Sequence, residues 1–348
     1  MPHSLDWLTP DMGRVQARHQ RRVAELYDGR QPEHVIAIAG ASYGRSHGLA
    51  GTHEIDMLAQ PEVWLADVIE DMASRAHLAA DPVTFRPLTI EPDPWGVHYI
   101  DALFGAEVYF HEGQVWSDPL ACDVADLRAP DLADTPLFRE SLRLAGLAVE
   151  ASQGKLLVTT PVLSCPINIA INLFGERFLE ALVERPDAAR RALRAVTDVI
   201  VACTRAFFEV IPQHIRRGTV AANRYAPPGY GFLDGCATQL VSGAHYRDFV
   251  APLDAEILRL SPHGGMIHLC GRHGQHIAAW RGMSELKSVQ VNDRATDDLP
   301  LYVAGLRSSQ VLYIAPTEKT PVERALELAR GRAIILQCEL AEQIPSDS

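Results

Sequence analysis

The stretch GGMIHLCGRHGQHIAAWRGMSELKSVQVN (264–292) decides the fold class of this 348-residue chain. Its apolar runs 264–270 and 286–292 are typical of β-strands, and residues 271–282 between them are typical of a loop followed by a helix. Two strands joined by a helix over about 30 residues form a parallel βαβ unit, since parallel neighbours need a long crossover. The stretch therefore predicts an α/β protein.

The same alternation extends in both directions along the chain. Further strand candidates are residues 34–40, 84–90, 155–161, 215–222, 310–316 and 333–339. Apolar residues at helical spacing cover 176–211, with an interruption at Pro186, and 243–262, and a helix capped by Thr320 is expected after 310–316. The alternation predicts parallel βαβ units arranged as a doubly wound sheet or a closed barrel.

No GxGxxG motif opens a helix after any of these strands, which removes the main reason to prefer a dinucleotide-binding sheet. The residues alone leave the doubly wound sheet and the closed barrel both open. Residues 1–80 are predicted to form an N-terminal helical extension that packs on the barrel, with an amphipathic helix beginning near Pro10.

The composition excludes several classes of protein. Hydrophobic residues make up 47% of the chain, charged residues 22%, and the net charge is −12, which disfavours nucleic acid as a partner. No apolar run reaches the roughly 20 residues that cross a bilayer, and the N-terminus lacks the apolar core of a signal peptide, so a cytoplasmic protein is expected. Six dispersed cysteines in such a compartment are expected to be thiols or metal ligands.

A candidate metal site lies at the ends of two predicted strands. His268 and Cys270 are two residues apart, so both side chains point to one face of a strand, and Cys338 lies at the end of the last strand. If both strands belong to one barrel, the three groups meet at its C-terminal mouth. Two thiolates and one imidazole suit Zn²⁺ and leave an open position for chemistry. The spacing also fits an ordinary buried His–Cys pair.

The segment YAPPGYGFLDGCATQ (225–239) is predicted to be the longest loop, because it is rich in Gly and Pro. Asp234 on this loop is a candidate catalytic residue that orients the substrate or serves as a fourth metal ligand, or it only caps the loop. Cys236 has no assigned role at this point. His273 and His276 follow the His-x-Cys motif and are expected at the surface, with a role toward the substrate as the alternative.

Several segments together resemble the uroporphyrinogen decarboxylase superfamily, a family of TIM barrels. They are DPWGVHYIDALFGAEVYFHEGQVW (93–116), LLVTTPVLSCPINIAINLFG (156–175), DGCATQLVSGAHYRDFVAPLDAEIL (234–258) and GGMIHLCGRHGQHI (264–277). The match covers most of the chain after about residue 80, in the expected order. The resemblance therefore implies a TIM (β/α)8 barrel over residues 81–348.

The superfamily has two functional branches, which the sequence matches unequally. True decarboxylases need no cofactor and carry an N-terminal "RQAGRY"-like motif, which is not present here. Arg14, Arg18, Arg21 and Arg22 cluster instead on one helical face, where a solvated surface is expected. The other branch contains cobalamin-dependent methyltransferases similar to methylcobalamin:coenzyme M methyltransferase, which bind zinc through His-x-Cys and a distant cysteine.

The resemblance implies that His268, Cys270 and Cys338 are zinc ligands. It also implies methyl transfer between a corrinoid and a zinc-activated thiol, with methylcobalamin or a corrinoid protein as the methyl donor. The expected partners are a small-molecule thiol substrate, that corrinoid protein and a second copy of the chain. Two alternatives stay open: a cofactor-free decarboxylase of a porphyrinogen or another carboxylic acid, and a non-catalytic corrinoid-binding partner.

Overall fold

The computed structural model describes residues 4–29, 35–39, 55–111, 114–217 and 224–338. The strands in this part of the chain are β1 (Val35–Ala39), β2 (Thr89–Ile90), β3 (Val108–His111), β4 (Gln114–Ser117), β5 (Leu157–Thr159), β6 (Arg216–Arg217), β7 (Gly231–Asp234), β8 (Gly265–Leu269), β9 (Leu286–Val291), β10 (Val311–Ile314) and β11 (Ile334–Cys338).

The strands form two parallel sheets and one hairpin. A six-stranded sheet has the order β1-β11-β10-β9-β8-β7, a three-stranded sheet has the order β2-β5-β6, and β3 pairs with β4 in an antiparallel hairpin. A single parallel bridge between Ile38 and Phe85 joins the two sheets. This succession is consistent with a TIM-like fold. Within the described residues no backbone ladder joins β6 to β7, so a closed eight-stranded barrel stays a prediction.

Helices follow most of the strands. They are α1 (Pro10–Tyr27), α2 (Pro61–Ser74), α3 (Ala76–Ala79), α4 (Tyr99–Leu103), α5 (Pro136–Ser152), α6 (Pro166–Phe174), α7 (Glu176–Glu184), α8 (Pro186–Val210), α9 (Gly243–His245), α10 (Ala251–Leu258), α11 (Ile277–Gly282), α12 (Arg294–Asp297), α13 (Leu299–Gly305) and α14 (Val322–Leu328). A π-helical turn, Tyr246–Val250, connects α9 to α10. No helix in the described ranges combines the length and the apolar character needed to span a membrane.

Proline marks the beginning of the long helices. Pro10, Pro61, Pro136, Pro166 and Pro186 each occupy the first turn, where the missing N–H costs no hydrogen bond and the fixed φ angle suits the helix. The predicted helical interruption at Pro186 is confirmed, because α7 ends two residues before it.

The cap predicted for the last helix is wrong. The residue before α14 is Pro321, and no side chain caps the helix. Thr320 instead donates its backbone N–H to the Thr317 hydroxyl, 3.0 Å away, and belongs to the preceding turn.

Two segments contribute strands where a loop and a separate extension were predicted. The predicted loop 225–239 contains the four-residue strand β7. This strand begins with glycine and lies shortly after Pro-Pro-Gly, a composition that is typical of loops. The strand β1 lies within the predicted extension 1–80 and pairs along its length with β11. The N-terminal segment therefore supplies a strand to the sheet, and of the strand predicted over 215–222 the residues after 217 lie outside the described part.

The helix α1 closes the amino end of the sheet. Thr9 caps it by accepting a hydrogen bond from the Met12 N–H at 3.3 Å. Its exposed face carries Arg14, Arg18 and Arg21, as predicted. Its buried face places three apolar side chains in a cluster with residues of the sheet. That cluster includes Val23, Leu26 and Tyr27 of α1, Met266, Val311 and Ile335 near the amino ends of β8, β10 and β11, and Ile38 near the carboxyl end of β1.

Candidate functional site

The strand register brings three polar side chains to one level at the carboxyl end of the sheet. Asp234 of β7 pairs with His268 of β8, and His268 pairs with Gln290 of β9. Residues aligned across neighbouring parallel strands point to the same side, so the three side chains share one face. All three are buried. This face is the starting point of the site.

A cluster of two cysteines and one histidine lies there. The ligand atoms of Cys236, His268 and Cys270 are all within 4.8 Å of one another. The His268 Nε2 atom and the Cys270 Sγ atom are 2.9 Å apart. The five cysteines whose side chains are described are all free thiols. Two sulfurs and one imidazole nitrogen at this separation can hold a metal ion such as zinc.

A glutamine fixes the tautomer of His268. The Gln290 Oε1 atom is hydrogen-bonded to His268 Nδ1, and because an amide oxygen can only accept, the proton lies on Nδ1. The Nε2 atom, which faces Cys270, therefore keeps its lone pair for a ligand. Gln290 is itself oriented by its amide nitrogen, which donates to Gln337 Oε1 at 3.3 Å. Such partners of a metal-binding histidine hold the ring and raise its basicity.

The pKa values of the two thiols in the cluster are shifted in opposite directions. The hydrogen bond from Cys236 lowers the pKa of Cys270, against the opposing effect of burial. The hydrogen bond to Cys270, burial and the nearby Asp234 raise the pKa of Cys236. Cys270 is thus the thiol of the pair that loses its proton more readily, and the thiolate is the form that binds metals.

Two buried histidines hold the segments that carry the cysteines. The His273 Nδ1 atom is 2.9 Å from Thr238 Oγ1, and the His273 Nε2 atom accepts from the Gly271 N–H at 3.2 Å. The His276 Nε2 atom donates to the Thr238 carbonyl at 2.8 Å. Thr238 follows Cys236 in a 3-10 turn, Cys236–Leu240. The histidines therefore fix the turn after β7 against the loop after β8.

The expectation that His273 and His276 lie at the surface is wrong, because both side chains are fully buried. Burial lowers the pKa of His273 to about 3, with smaller contributions from His276 and His268. Both nitrogens of His273 are used inside the protein, so this side chain is a neutral support.

Gly271 allows the close approach of the two segments. A Cβ atom added at this residue would overlap the side-chain amide of Gln239 in the neighbouring turn. The crowding at this residue comes from the turn that carries Cys236.

The cluster opens on a cavity of about 590 Å³. Its lining includes Val97, His98, Trp116, Asn168, Asn172, Arg224 and Asp234 together with the three residues of the cluster. Asn168 accepts a hydrogen bond from the Ala237 N–H at 2.8 Å and so supports the turn of Cys236. Val97 and Trp116 are exposed apolar side chains at the cavity. A larger depression, about 910 Å³, lies elsewhere, and no residue of the cluster lines it.

The predicted site residues have different outcomes. His268 and Cys270 lie together, whereas Cys338 is the last residue of β11, where its backbone pairs with Ala39 and its side chain lies outside the described residues. Asp234 ends β7 and does not lie on a loop, and its carboxylate accepts from the Cys236 thiol at 3.1 Å. Cys236 is the residue that the sequence left without a role.

The chain is similar to a solved structure but matches no protein family by its sequence. No family model matches the chain, and no curated protein matches its sequence. Among solved structures, the chain is similar to a methyltransferase from Methanosarcina mazei with a TM-score of 0.63. The similarity covers 95% of this chain and 94% of that one, at 12% sequence identity. The two proteins therefore share a fold.

Proposed function

We propose that this chain is a zinc-dependent methyltransferase that moves a methyl group between a corrinoid and a small thiol. The cluster of Cys236, His268 and Cys270 beside the cavity is the observation that carries this proposal. The shared fold with a protein described as a methyltransferase supports the reaction class, and the superfamily resemblance of 93–116, 156–175, 234–258 and 264–277 supports the corrinoid and the thiol.

The donor set fits a catalytic zinc ion. Cys236, His268 and Cys270 supply three ligands, and three protein ligands leave one position for a substrate. Bound there, zinc would lower the pKa of a coordinated thiol and hold it as a thiolate. A thiol with a reference pKa of about 8.5 is otherwise mostly protonated at neutral pH.

The residues around the cluster orient its ligands. Gln290 holds His268 with Nε2 toward Cys270. Without metal the Cys236 thiol donates to Asp234, and this proton has to leave when Cys236 binds the ion. The cavity of about 590 Å³ has room for a small thiol next to the cluster. In the transfer, the thiolate sulfur bonds to the methyl carbon while the carbon–cobalt bond breaks, and both electrons of that bond stay on cobalt.

The resemblance implies that Cys338 is a zinc ligand, so Cys338 is the alternative to Cys236 as the third ligand. Its residue neighbour Gln337 accepts from Gln290, the partner of His268, so β11 approaches the same end of the sheet. The geometry of the described side chains favours Cys236, and we assign the third ligand to Cys236.

The first test is metal analysis of the purified full-length protein. We expect close to one zinc per chain in the wild type and in Cys122→Ser, a control that replaces an exposed cysteine. Cys270→Ser is expected to lose most of the metal. A metal-free wild type, or full zinc content in Cys270→Ser, would overturn the site.

The second test is the reaction. Zinc-loaded protein is incubated with methylcobalamin and a panel of small thiols while the corrinoid spectrum is followed, with chelator-treated protein as the control. Loss of methylcobalamin with matching thioether formation supports the proposal. Decarboxylation of an organic acid that survives chelation would favour the decarboxylase, and corrinoid binding without turnover would favour the non-catalytic partner.

A further inference from the structure

A buried histidine–aspartate pair lines the same cavity as the cysteine–histidine cluster. His98 ends a 3-10 turn, Gly96–His98, and Asp101 lies one turn later in α4. The His98 Nδ1 atom and the Asp101 Oδ2 atom are 2.6 Å apart. The Asp101 side chain is fully buried, whereas 13% of the His98 side chain is exposed, and His98 lines the cavity.

Other side chains fix the carboxylate. Asn172 Nδ2 donates to Asp101 Oδ2 at 2.8 Å, and Ser117 Oγ donates to the same oxygen at 3.2 Å. The same amide nitrogen lies farther from His98 Nδ1, at 3.4 Å. The short contact of 2.6 Å between His98 Nδ1 and an ionised Asp101 places the proton of the pair on His98 Nδ1. The Nε2 atom of His98 keeps its lone pair and has no hydrogen-bond partner among the residues that the structure describes.

The carboxylate of this pair is buried and only partly hydrogen-bonded. The Asp101 Oδ1 atom is buried and lacks a hydrogen-bond partner within the described part of the chain. Burial raises the pKa of Asp101 because a carboxylate without full solvation is disfavoured, although the bond from His98 acts in the opposite direction. Protonation of His98 Nε2 places a compensating positive charge beside the carboxylate. An imidazole oriented by a buried carboxylate is also the arrangement of a general base.

We propose that His98 is the general base of the reaction, with Asp101 as its positioning residue. This inference rests on the proposed function, because it supplies the acceptor for the proton that the substrate thiol loses. The sulfur–hydrogen bond breaks, the electron pair stays on sulfur, and the proton binds His98 Nε2. After transfer of the methyl group the proton leaves to solvent through the cavity.

Several charged and titratable groups face the cavity from other elements. Arg224 lies after β6 and Asp234 ends β7, and the cluster residues lie on or after β7 and β8. Asn172 of α6 and Ser117 of β4 are uncharged. The variants below keep all of these groups and change only His98 or Asp101.

The first experiment reads the tautomer directly in the full-length protein without metal. Long-range proton–nitrogen spectra of histidine-labelled wild type, His98→Gln and Asp101→Asn identify the His98 ring by difference. We expect a neutral ring with the proton on Nδ1 in the wild type and a mixture of tautomers in Asp101→Asn. His214→Gln, which makes the same change at an exposed turn, should leave the His98 signals unchanged. A wild-type ring with the proton on Nε2 would overturn the proposal.

The second experiment follows the proton itself. Zinc-loaded protein is mixed with β-mercaptoethanol in weakly buffered solution that contains a pH indicator. We expect about one proton per bound thiol to reach the solution from His98→Gln and far less from the wild type or His214→Gln. Equal release from all three proteins would overturn this inference alone. A wild type that binds no zinc or no thiol would overturn the proposed function as well.

Kinetics with methylcobalamin supply a third readout. His98→Gln should lower kcat roughly 10²- to 10⁴-fold at neutral pH, with little change in the KM for the thiol. The deficit should narrow as the pH rises, because hydroxide and buffer bases then remove the thiol proton in place of His98. A deficit independent of pH, with normal zinc content, would contradict the role as a base. His98→Asn provides the same comparison if the Gln variant does not fold.

Discussion

Replacing Cys236 by serine tests the structure where it differs from the prediction made from the sequence. Serine preserves the size of the side chain and can donate to Asp234 as the thiol does at 3.1 Å. Its hydroxyl stays protonated at neutral pH, however, and is not among the usual zinc ligands. The substitution therefore removes one metal ligand from the group whose ligand atoms lie within 4.8 Å of one another, with little change in packing.

The expected loss follows from the energy of zinc binding. Protein zinc sites bind the ion with about 12 kcal/mol at neutral pH. Shared among four ligands, this gives about 3 kcal/mol for each, which corresponds to a roughly 10²-fold weaker affinity. The support of the site stays in place, because His273 and His276 bind Thr238 and make no hydrogen bond to the Cys236 side chain.

The assay is competition for zinc between the protein and a coloured chelator. Wild type and Cys122→Ser should retain equal affinities, and Cys236→Ser and Cys270→Ser should each lose about two orders of magnitude. The zinc affinity of Cys338→Ser is measured in the same assay, because Cys338 is the alternative third ligand. If Cys236→Ser binds zinc like the wild type while Cys338→Ser loses the affinity, the assignment of the third ligand to Cys236 is refuted.

Three further substitutions test how the site is supported. His273 has a folded pKa of about 3 against about 6.5 when unfolded, so the unfolded chain binds more protons between these values and the protein loses stability as the pH falls through them. Urea titrations at several pH values should show that the free energy of unfolding of the wild type falls by at most about 1.4 kcal/mol per pH unit in this range. The fall should be smaller in His273→Gln, and an equal dependence on pH in both proteins would contradict the assignment. Gln290→Ala should weaken zinc binding about 10- to 100-fold in the chelator assay because His268 loses its oriented tautomer; an unchanged affinity would show that Gln290 does not orient the ring. Gly271→Ala should cost less than about 1 kcal/mol in urea unfolding, because its methyl group overlaps only the end of the flexible, half-buried Gln239 side chain, which can move; a loss of several kcal/mol would show that the turn cannot adjust.

Much of the fold could be predicted because its strands are apolar and its helices are well marked. The strands β8 to β11 are buried on both faces, so each appears in the sequence as a short apolar run. Pro10 and Pro186 mark helix starts in the same direct way. The strand β7 was not predicted because it begins with glycine and lies shortly after Pro-Pro-Gly, and such residues are typical of loops.

The site was predictable only where its residues share one strand. The two-residue spacing of His268 and Cys270 indicates that both side chains point to the same face. Cys236 joins them through the register of β7 with β8 and through the turn after Asp234, and neither is visible as a periodic pattern. Its position two residues after Asp234 on the neighbouring strand was the one available signal.

Burial of polar side chains was the hardest property to predict. His273 and His276 lie in a glycine-containing polar segment, which is typical of a surface loop. They are buried because the turn 236–240 packs over that segment and offers Thr238 as a partner. His98 and Asp101 have the i, i+3 spacing of an interacting pair, but their burial depends on Asn172 and Ser117 from distant parts of the chain.

The buried face of α1 fills the region beside the amino ends of β8, β10 and β11 with apolar side chains, whereas the exposed Val97 and Trp116 border the cavity beside the cluster. For the proposed reaction, we expect the small acceptor and the bulky methyl carrier to approach the cluster from the side of these two residues. The acceptor then has to bind before the carrier covers the cavity, and the methylated product leaves after the carrier departs. The rate of turnover should therefore pass through a maximum as the carrier concentration rises, because an excess of carrier blocks the acceptor.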